Sequence, residues 1–381
     1  MRNKILIIVI SLFGLASCIY PYDGKLTGTN EDIVVIDGNI VAGGTSTVNL
    51  SKVLSFAEGA RYDSEAAKGK AWIEDDAGGK YYPSSPEEIS SSLTINTENA
   101  PEGRKYRLVA NVEGKIYSSD WLDVVKAPII EDIEIGLSKD RTDVDVKVTV
   151  RGGEGASGFI GLSYDETWEF HADYECRYEL DTLRWRVFPR TSPYPNYWCW
   201  KHESFQGTML VNYSELDDDR VTSYKLLSFP TTSKRNHKRY SINVKAVNLP
   251  EVTFKYMKNL ESISKGQGSL FSPNPGEMVS NVRCESDPSV RVLGYVTALL
   301  EASKRVFIGS KFYTYVEPPI TYLFVPADIP ESYGYGNYPV DLMTLPKGEM
   351  GADLTTVFWG PLRCMDCVVE GGTKQRPDFW R

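Results

Sequence analysis

Trp168-Glu169-Phe170-His171-Ala172-Asp173-Tyr174-Glu175-Cys176-Arg177-Tyr178-Glu179-Leu180 carries an apolar residue at every even position and a charged residue or histidine at every odd one. A repeat of two sends alternate side chains to opposite faces of an extended chain, whereas a helix would spread the same apolar residues around its whole circumference. The stretch therefore predicts one long strand, with His171 on its solvated face. The same alternation appears upstream, where Val144, Val146, Val148 and Val150 are interleaved with Asp145, Lys147 and Thr149, and Ile33 to Val41 reads as further strand.

Turn signals punctuate these runs at Asp76-Ala77-Gly78-Gly79, Glu113-Gly114, Gly152-Gly153-Glu154-Gly155 and Pro273-Asn274-Pro275-Gly276. Many short strands at such spacing predict an all-β chain of two sandwiches. The expected boundary is Lys126-Ala127-Pro128, giving an N-terminal sandwich over 31–126 and a second over 127–317 with a long aromatic insertion. An irregular C-terminal segment rich in Pro, Gly and Tyr follows over 318–381. A short helix is expected from Pro250 to Lys265, where Val252, Tyr256, Met257 and Leu260 fall at helical spacing.

The N-terminus has a different character. Arg2 and Lys4 precede an apolar run from Ile5 to Leu15, the layout of a signal peptide over 1–17. Pro21, Tyr22 and Asp23 end the run well short of the roughly 20 residues a membrane-spanning helix needs. It closes on Leu15-Ala16-Ser17-Cys18, which resembles a lipobox, so Cys18 is the expected site of lipidation and 18–30 a lipidated linker. Acyl chains contribute about 0.8 kcal/mol per buried methylene, enough for two or three of them to make a durable anchor. Ile19, in place of an aspartate, resembles the signal permitting transfer to the outer membrane; whether the body faces the periplasm or the exterior is left open.

A net charge of −9 argues against a nucleic-acid partner, which would require clustered cations. The one basic patch, Lys234, Arg235, His237, Lys238 and Arg239, is expected to be a solvated loop leading into a strand. Besides Cys18 there are five cysteines, Cys176, Cys199, Cys284, Cys364 and Cys367, whose connectivity spacing does not decide. Cys364 and Cys367 form a C-x-x-C without a second pair, so a structural role is expected, either a local crosslink or pairing with another loop. Gly153-x-Gly155-x-x-Gly158 matches a dinucleotide loop in letters only, because a strand-like stretch follows where a helix is required; a hairpin turn is expected. The three histidines and the Asp217-Asp218-Asp219 run show no spacing suited to a metal or a nucleophile's base, so no catalytic residue, metal or cofactor is expected.

Residues 185–200 concentrate Trp185, Phe188, Tyr194, Tyr197, Trp198 and Trp200 among prolines and arginines. Rigid aromatics beside arginine suit a contact surface for sugars, peptides or a partner. The alternative is a loop folded back to cover the sandwich edge. Asp181-Thr182-Leu183 resembles a short O-glycosylation signal at Thr182.

Several stretches together resemble the lipoproteins grouped as domain of unknown function 4249. They are Ile33 to Val41, Lys105-Tyr106-Arg107-Leu108 through Tyr117, Ala127-Pro128-Ile129-Ile130, Leu293-Gly294-Tyr295-Val296 before Arg305 to Ile308, and the closing Cys364 to Thr373 with Pro377-Asp378-Phe379-Trp380. The resemblance implies immunoglobulin-like or fibronectin-like modules and genes lying beside TonB-dependent outer-membrane receptors. That association implies an accessory that captures or presents a nutrient, expected to be non-enzymatic because no nucleophile, base or metal set emerges from the residues; the alternative is a structural or adhesive surface protein. Cys284 departs from the family pattern, so no disulfide scheme is carried over.

Overall fold

A computed structural model describes residues 33–53, 67–85, 90–153, 155–181, 183, 186–216, 218–266, 280–315, 337–340 and 358–380. The lipobox residues Leu15, Ala16, Ser17 and Cys18, together with Thr182, Trp185 and the Pro273–Gly276 turn, lie outside the described residues. The chain is mainly β, as the alternating runs require. The first strands are β1 (Ile33–Val41), β2 (Thr45–Val53), β3 (Gly69–Asp75), β4 (Lys80–Tyr81), β5 (Ser92–Asn96), β6 (Lys105–Val112), β7 (Lys115–Ser119) and β8 (Leu122–Asp123). Antiparallel pairing joins β1 to β2 and β2 to β5 in one sheet, and β4, β3, β6 and β7 in another, with β8 beside β6. Ile36, Leu50 and Ile95 from the first sheet and Ile73, Tyr106 and Leu108 from the second fill one shared core. Two sheets closing on one apolar layer is a sandwich arrangement.

Beyond Pro128 the chain continues as β9 (Ile129–Leu137), β10 (Asp143–Arg151), β11 (Phe159–His171), β12 (Tyr178–Asp181), β13 (Arg186–Pro189), β14 (Trp198–Ser204), β15 (Met209–Asn212), β16 (Arg220–Pro230) and β17 (Arg239–Asn248). A helix, α1 (Glu251–Gly266), then precedes β18 (Val282–Cys284), β19 (Val292–Leu293), β20 (Val296–Leu299) and β21 (Ala302–Gly309). The order β16-β10-β9 makes one sheet and β14-β11-β17-β21 the other, with β15 beside β11. Val144, Val146, Val148 and Val150 meet Ile160, Leu162, Phe170, Ile242 and Val244 in a second core.

The strand order departs from the expected division of the chain. The stretch 127–317 is not one continuous unit, because β18 pairs with β7, and β19 and β20 run parallel to β1. Val282, Cys284, Val292, Val296 and Ala298 complete the first core, and β21 then returns to the second. A short apolar run does not reveal which sheet will cover it. The Gly152–Gly158 turn is likewise a crossing between sheets and not a hairpin, since β10 and β11 share no pairing.

The strand read from Trp168 to Leu180 ends at His171. Burial still alternates through Ala172, Tyr174 and Cys176, but the backbone partners change: Ala172 N–H donates to the Tyr197 carbonyl and Tyr174 N–H to that of Cys364. The helix is found where expected, yet it buries Thr253, Phe254 and Tyr256, leaving Val252 and Leu260 exposed. Its buried side joins the two sandwiches. Phe254 packs on Phe159 with ring centres 4.5 Å apart, and the Tyr256 hydroxyl donates to Asp37 Oδ1 at 2.6 Å. In the C-terminal segment, β22 (Asn337–Val340) pairs with β23 (Phe358–Pro361), and a 3-10 turn at Leu362–Cys364 follows.

Candidate functional site

The basic patch is not a solvated loop. A 3-10 turn at Lys234–Asn236, capped by Ser233, sets Arg235 against Glu166 of β11 and Lys234 against Asp173, while Arg239 opens β17. Arg235 donates to both oxygens of Glu166, at 3.1 and 3.2 Å, and to Glu203 at 2.9 Å, with its guanidinium 4.5 Å from the Trp168 ring centre. Glu166 shares the core-facing side of β11 with Trp168, and its Oε1 also accepts from the buried Tyr240 hydroxyl at 2.6 Å. Lys234 bridges Asp173 at 2.8 Å and Glu370 at 2.6 Å, and Lys238 pairs with Glu169 at 2.5 Å. Carboxylates this buried require partners, and the patch supplies them.

His171, expected in solvent, is half-buried. Its ring stacks on Tyr197 at 5.1 Å and lies 4.4 Å from His237, whose Nδ1 is buried without a hydrogen-bond partner among the described residues. Burial, then the charges of His171 and Lys234, push the His237 imidazole down to about 3. Burial lowers His171 as well.

The C-x-x-C is split. Cys367 is bonded to Cys199, 168 residues away in sequence and on the core side of β14, while Cys364 is a buried thiol that burial pushes up to about 12. A local Cys364–Cys367 crosslink is therefore not formed, and Cys367 pairs with the aromatic segment. Cys176 and Cys284 are also buried outside this bond. Gly372 is required here because a Cβ would sit 2.6 Å from Cys199 Cβ and 2.7 Å from the Cys367 carbonyl. Asp366, between the two cysteines, accepts from Tyr194 at 2.9 Å and Asn196 at 2.8 Å.

Trp198 and Trp200 are engaged in the same docking, whereas Phe188 is 43% exposed. Trp198 packs against Tyr197 and lies beneath Lys238 Nζ at 4.6 Å; Trp200 exchanges backbone hydrogen bonds with Thr373 at 2.9 and 2.7 Å. Further along, Trp380 packs on Phe307 of β21, and Arg305 lies 3.8 Å from the Phe379 ring centre. Tyr194, Tyr197, Trp198 and Trp200 are all half-buried, so the segment largely covers the sandwich and clamps the C-terminal residues to it. Beside it an open cleft of about 420 Å³ is lined by Glu175, Arg177, Tyr178, Pro189 and Arg190 among others. Glu166, Asp366 and Glu370 are not singled out by the sequence, and Arg235 reads there only as part of a solvated basic loop. A carboxylate enclosed in C-x-x-C was the one local signal available.

Among the described residues no three His, Cys, Asp or Glu side chains converge as a metal set, and no helix is long and apolar enough to cross a membrane. The profile of the family described as Domain of unknown function (DUF4249) matches residues 19–305, and the chain belongs to that family. The closing Cys364–Trp380 stretch lies outside the matched range. No curated protein matches the chain.

Proposed function

We propose that this protein is a non-enzymatic lipoprotein of the cell envelope, held to the outer membrane by lipid on Cys18, and an accessory or ligand-capturing partner of a TonB-dependent receptor in nutrient uptake. The order of residues 1–18 carries this reading: two cations, a short apolar run, then Leu15-Ala16-Ser17-Cys18. The family resemblance supplies the partner. The clamped second sandwich supports a binding role, since its buried Glu166 and Glu169 are each engaged by a cation while the cleft at Arg177 and Arg190 stays open. Metabolic labelling with palmitate tests the anchor: wild type should incorporate label and fractionate with the outer membrane, and Cys18→Ala should do neither. Native electrophoresis of mildly solubilised membranes tests the partner. Migration with a receptor is expected; migration alone would favour an adhesive or structural surface protein.

A further inference from the structure

The outer face of the first sandwich carries a second group of aromatics, remote from the C-terminal clamp. In the β3–β4 hairpin Ile73 pairs with Tyr81, so Trp72 and Tyr82 meet one step further along the same ladder. Their ring centres are 6.4 Å apart and their planes lie within 28°, an offset arrangement, and Lys80 Nζ lies over the Trp72 ring at 6.0 Å from its centre. Tyr82 is 46% exposed, and Trp121, just before β8, is 41% exposed.

One carboxylate organises the group. Glu74 Oε1 accepts from the Trp72 indole N–H at 2.9 Å and pairs with Lys80 at 2.9 Å; Oε2 accepts from Arg107 at 2.9 and 2.7 Å. Arg107 in turn lies 4.7 Å from the Trp121 ring centre. Burial raises the Glu74 carboxyl, but hydrogen bonds from Trp72, Lys80 and Arg107 outweigh it and hold it at about 2. Side chains fixed before a ligand arrives lose less entropy on binding.

The chemistry of this face selects its occupant. Tyr82 and Trp121 are the exposed large apolar side chains among the described residues of 33–126, so no aliphatic patch accompanies the rings, as a protein or lipid interface would require. Glu74, shared by Lys80 and Arg107, and Asp123, beside Lys105, offset two of these three nearby charges, and a single surplus cation is no electrostatic track for a phosphate backbone. A pyranose matches what remains: its C–H face stacks on an indole or phenol ring while its rim of hydroxyls meets the Tyr82 hydroxyl, Lys80 and Arg107. We propose that Trp72 and Tyr82, flanked by Arg107 and Trp121, form a binding platform for a neutral polysaccharide. The platform stands on its own geometry and needs neither lipid nor receptor.

The test uses the full-length protein in mild detergent, run by affinity electrophoresis through gels containing an α-glucan, a mixed-linkage β-glucan, xylan, galactomannan or α-mannan. Pectin and a proline-rich peptide serve as acidic and peptide probes. At least one neutral polymer should retard the protein. Trp72→Ala and Tyr82→Ala should each weaken that retention about tenfold, the scale of one lost stacking contact. Glu74→Gln should weaken it less, and Tyr315→Ala, an exposed aromatic elsewhere, should leave it unchanged. Circular dichroism of each variant should match wild type. Free migration through every neutral polymer, retention that survives the Trp72→Ala/Tyr82→Ala pair, or binding of the peptide or pectin alone would overturn the proposal.

Discussion

Reduction of the Cys199–Cys367 bond should destabilise the chain by several kcal/mol while leaving the native packing in place. Both sulfurs are fully buried, so the two thiols would occupy nearly the same volume, and the effect falls on the unfolded chain. The bonded residues are 168 apart, and the entropy of closing so long a loop is worth about 5 kcal/mol at room temperature. A local Cys364–Cys367 bridge, closing a single turn, would be worth only about 2 kcal/mol on the same scale. Urea unfolding followed by tryptophan fluorescence, with and without reductant, distinguishes the two, and tryptic mapping identifies the bonded peptides. A loss above about 3 kcal/mol with a Cys199–Cys367 peptide is expected. A loss under about 2 kcal/mol, or a peptide joining Cys364 to Cys367, would exclude the long-range bond.

Acidification should weaken the second sandwich. His237 is neutral when folded, at about 3, and has an ordinary pKa of 6.5 when unfolded, so the unfolded chain takes up the proton first and stability present above pH 6.5 is lost as the pH falls towards 3. From pH 7.5 to 5 the loss should be about 2 kcal/mol, and His237→Phe should flatten the profile; an equally steep profile in that variant would exclude His237 as the cause. Arg235→Ala strands the Glu166 carboxylate, whose side chain is 5% exposed, and should cost about 3–5 kcal/mol by thermal or urea unfolding. The double variant Arg235→Met/Glu166→Gln should cost distinctly less, and equal losses would show that the charge is not the issue. Gly372→Ala should destabilise by about 1–3 kcal/mol because the added methyl collides with Cys199 and a backbone carbonyl.

The β character was legible because alternation is local: Val144 to Val150 reads as a half-buried strand in any context and is one. The helix was legible in extent and in part of its buried side, since Tyr256 and Met257 of the expected set face inward, whereas Phe254 is chosen by Phe159, far away in sequence. The same limit hid the ion pairs. Arg235 and Glu166 are 69 residues apart, and nothing near either marks the other. Glu169 and His171 read as solvent-facing by alternation, yet Lys238, Tyr197 and Trp198 fold over that face. The Trp72 platform did have a local signal. The Asp76-Ala77-Gly78-Gly79 turn makes a hairpin, and counting outward along both arms sets Trp72 opposite Tyr82.

An anchored accessory that works with a receptor should bring it along when the tagged, lipidated protein is captured from native membranes in gentle detergent and the bound proteins are identified by mass spectrometry. A TonB-dependent receptor recovered in stoichiometric amount is the predicted result, and Cys18→Ala should lose it. Recovery of the protein alone at every detergent strength would exclude a standing receptor complex.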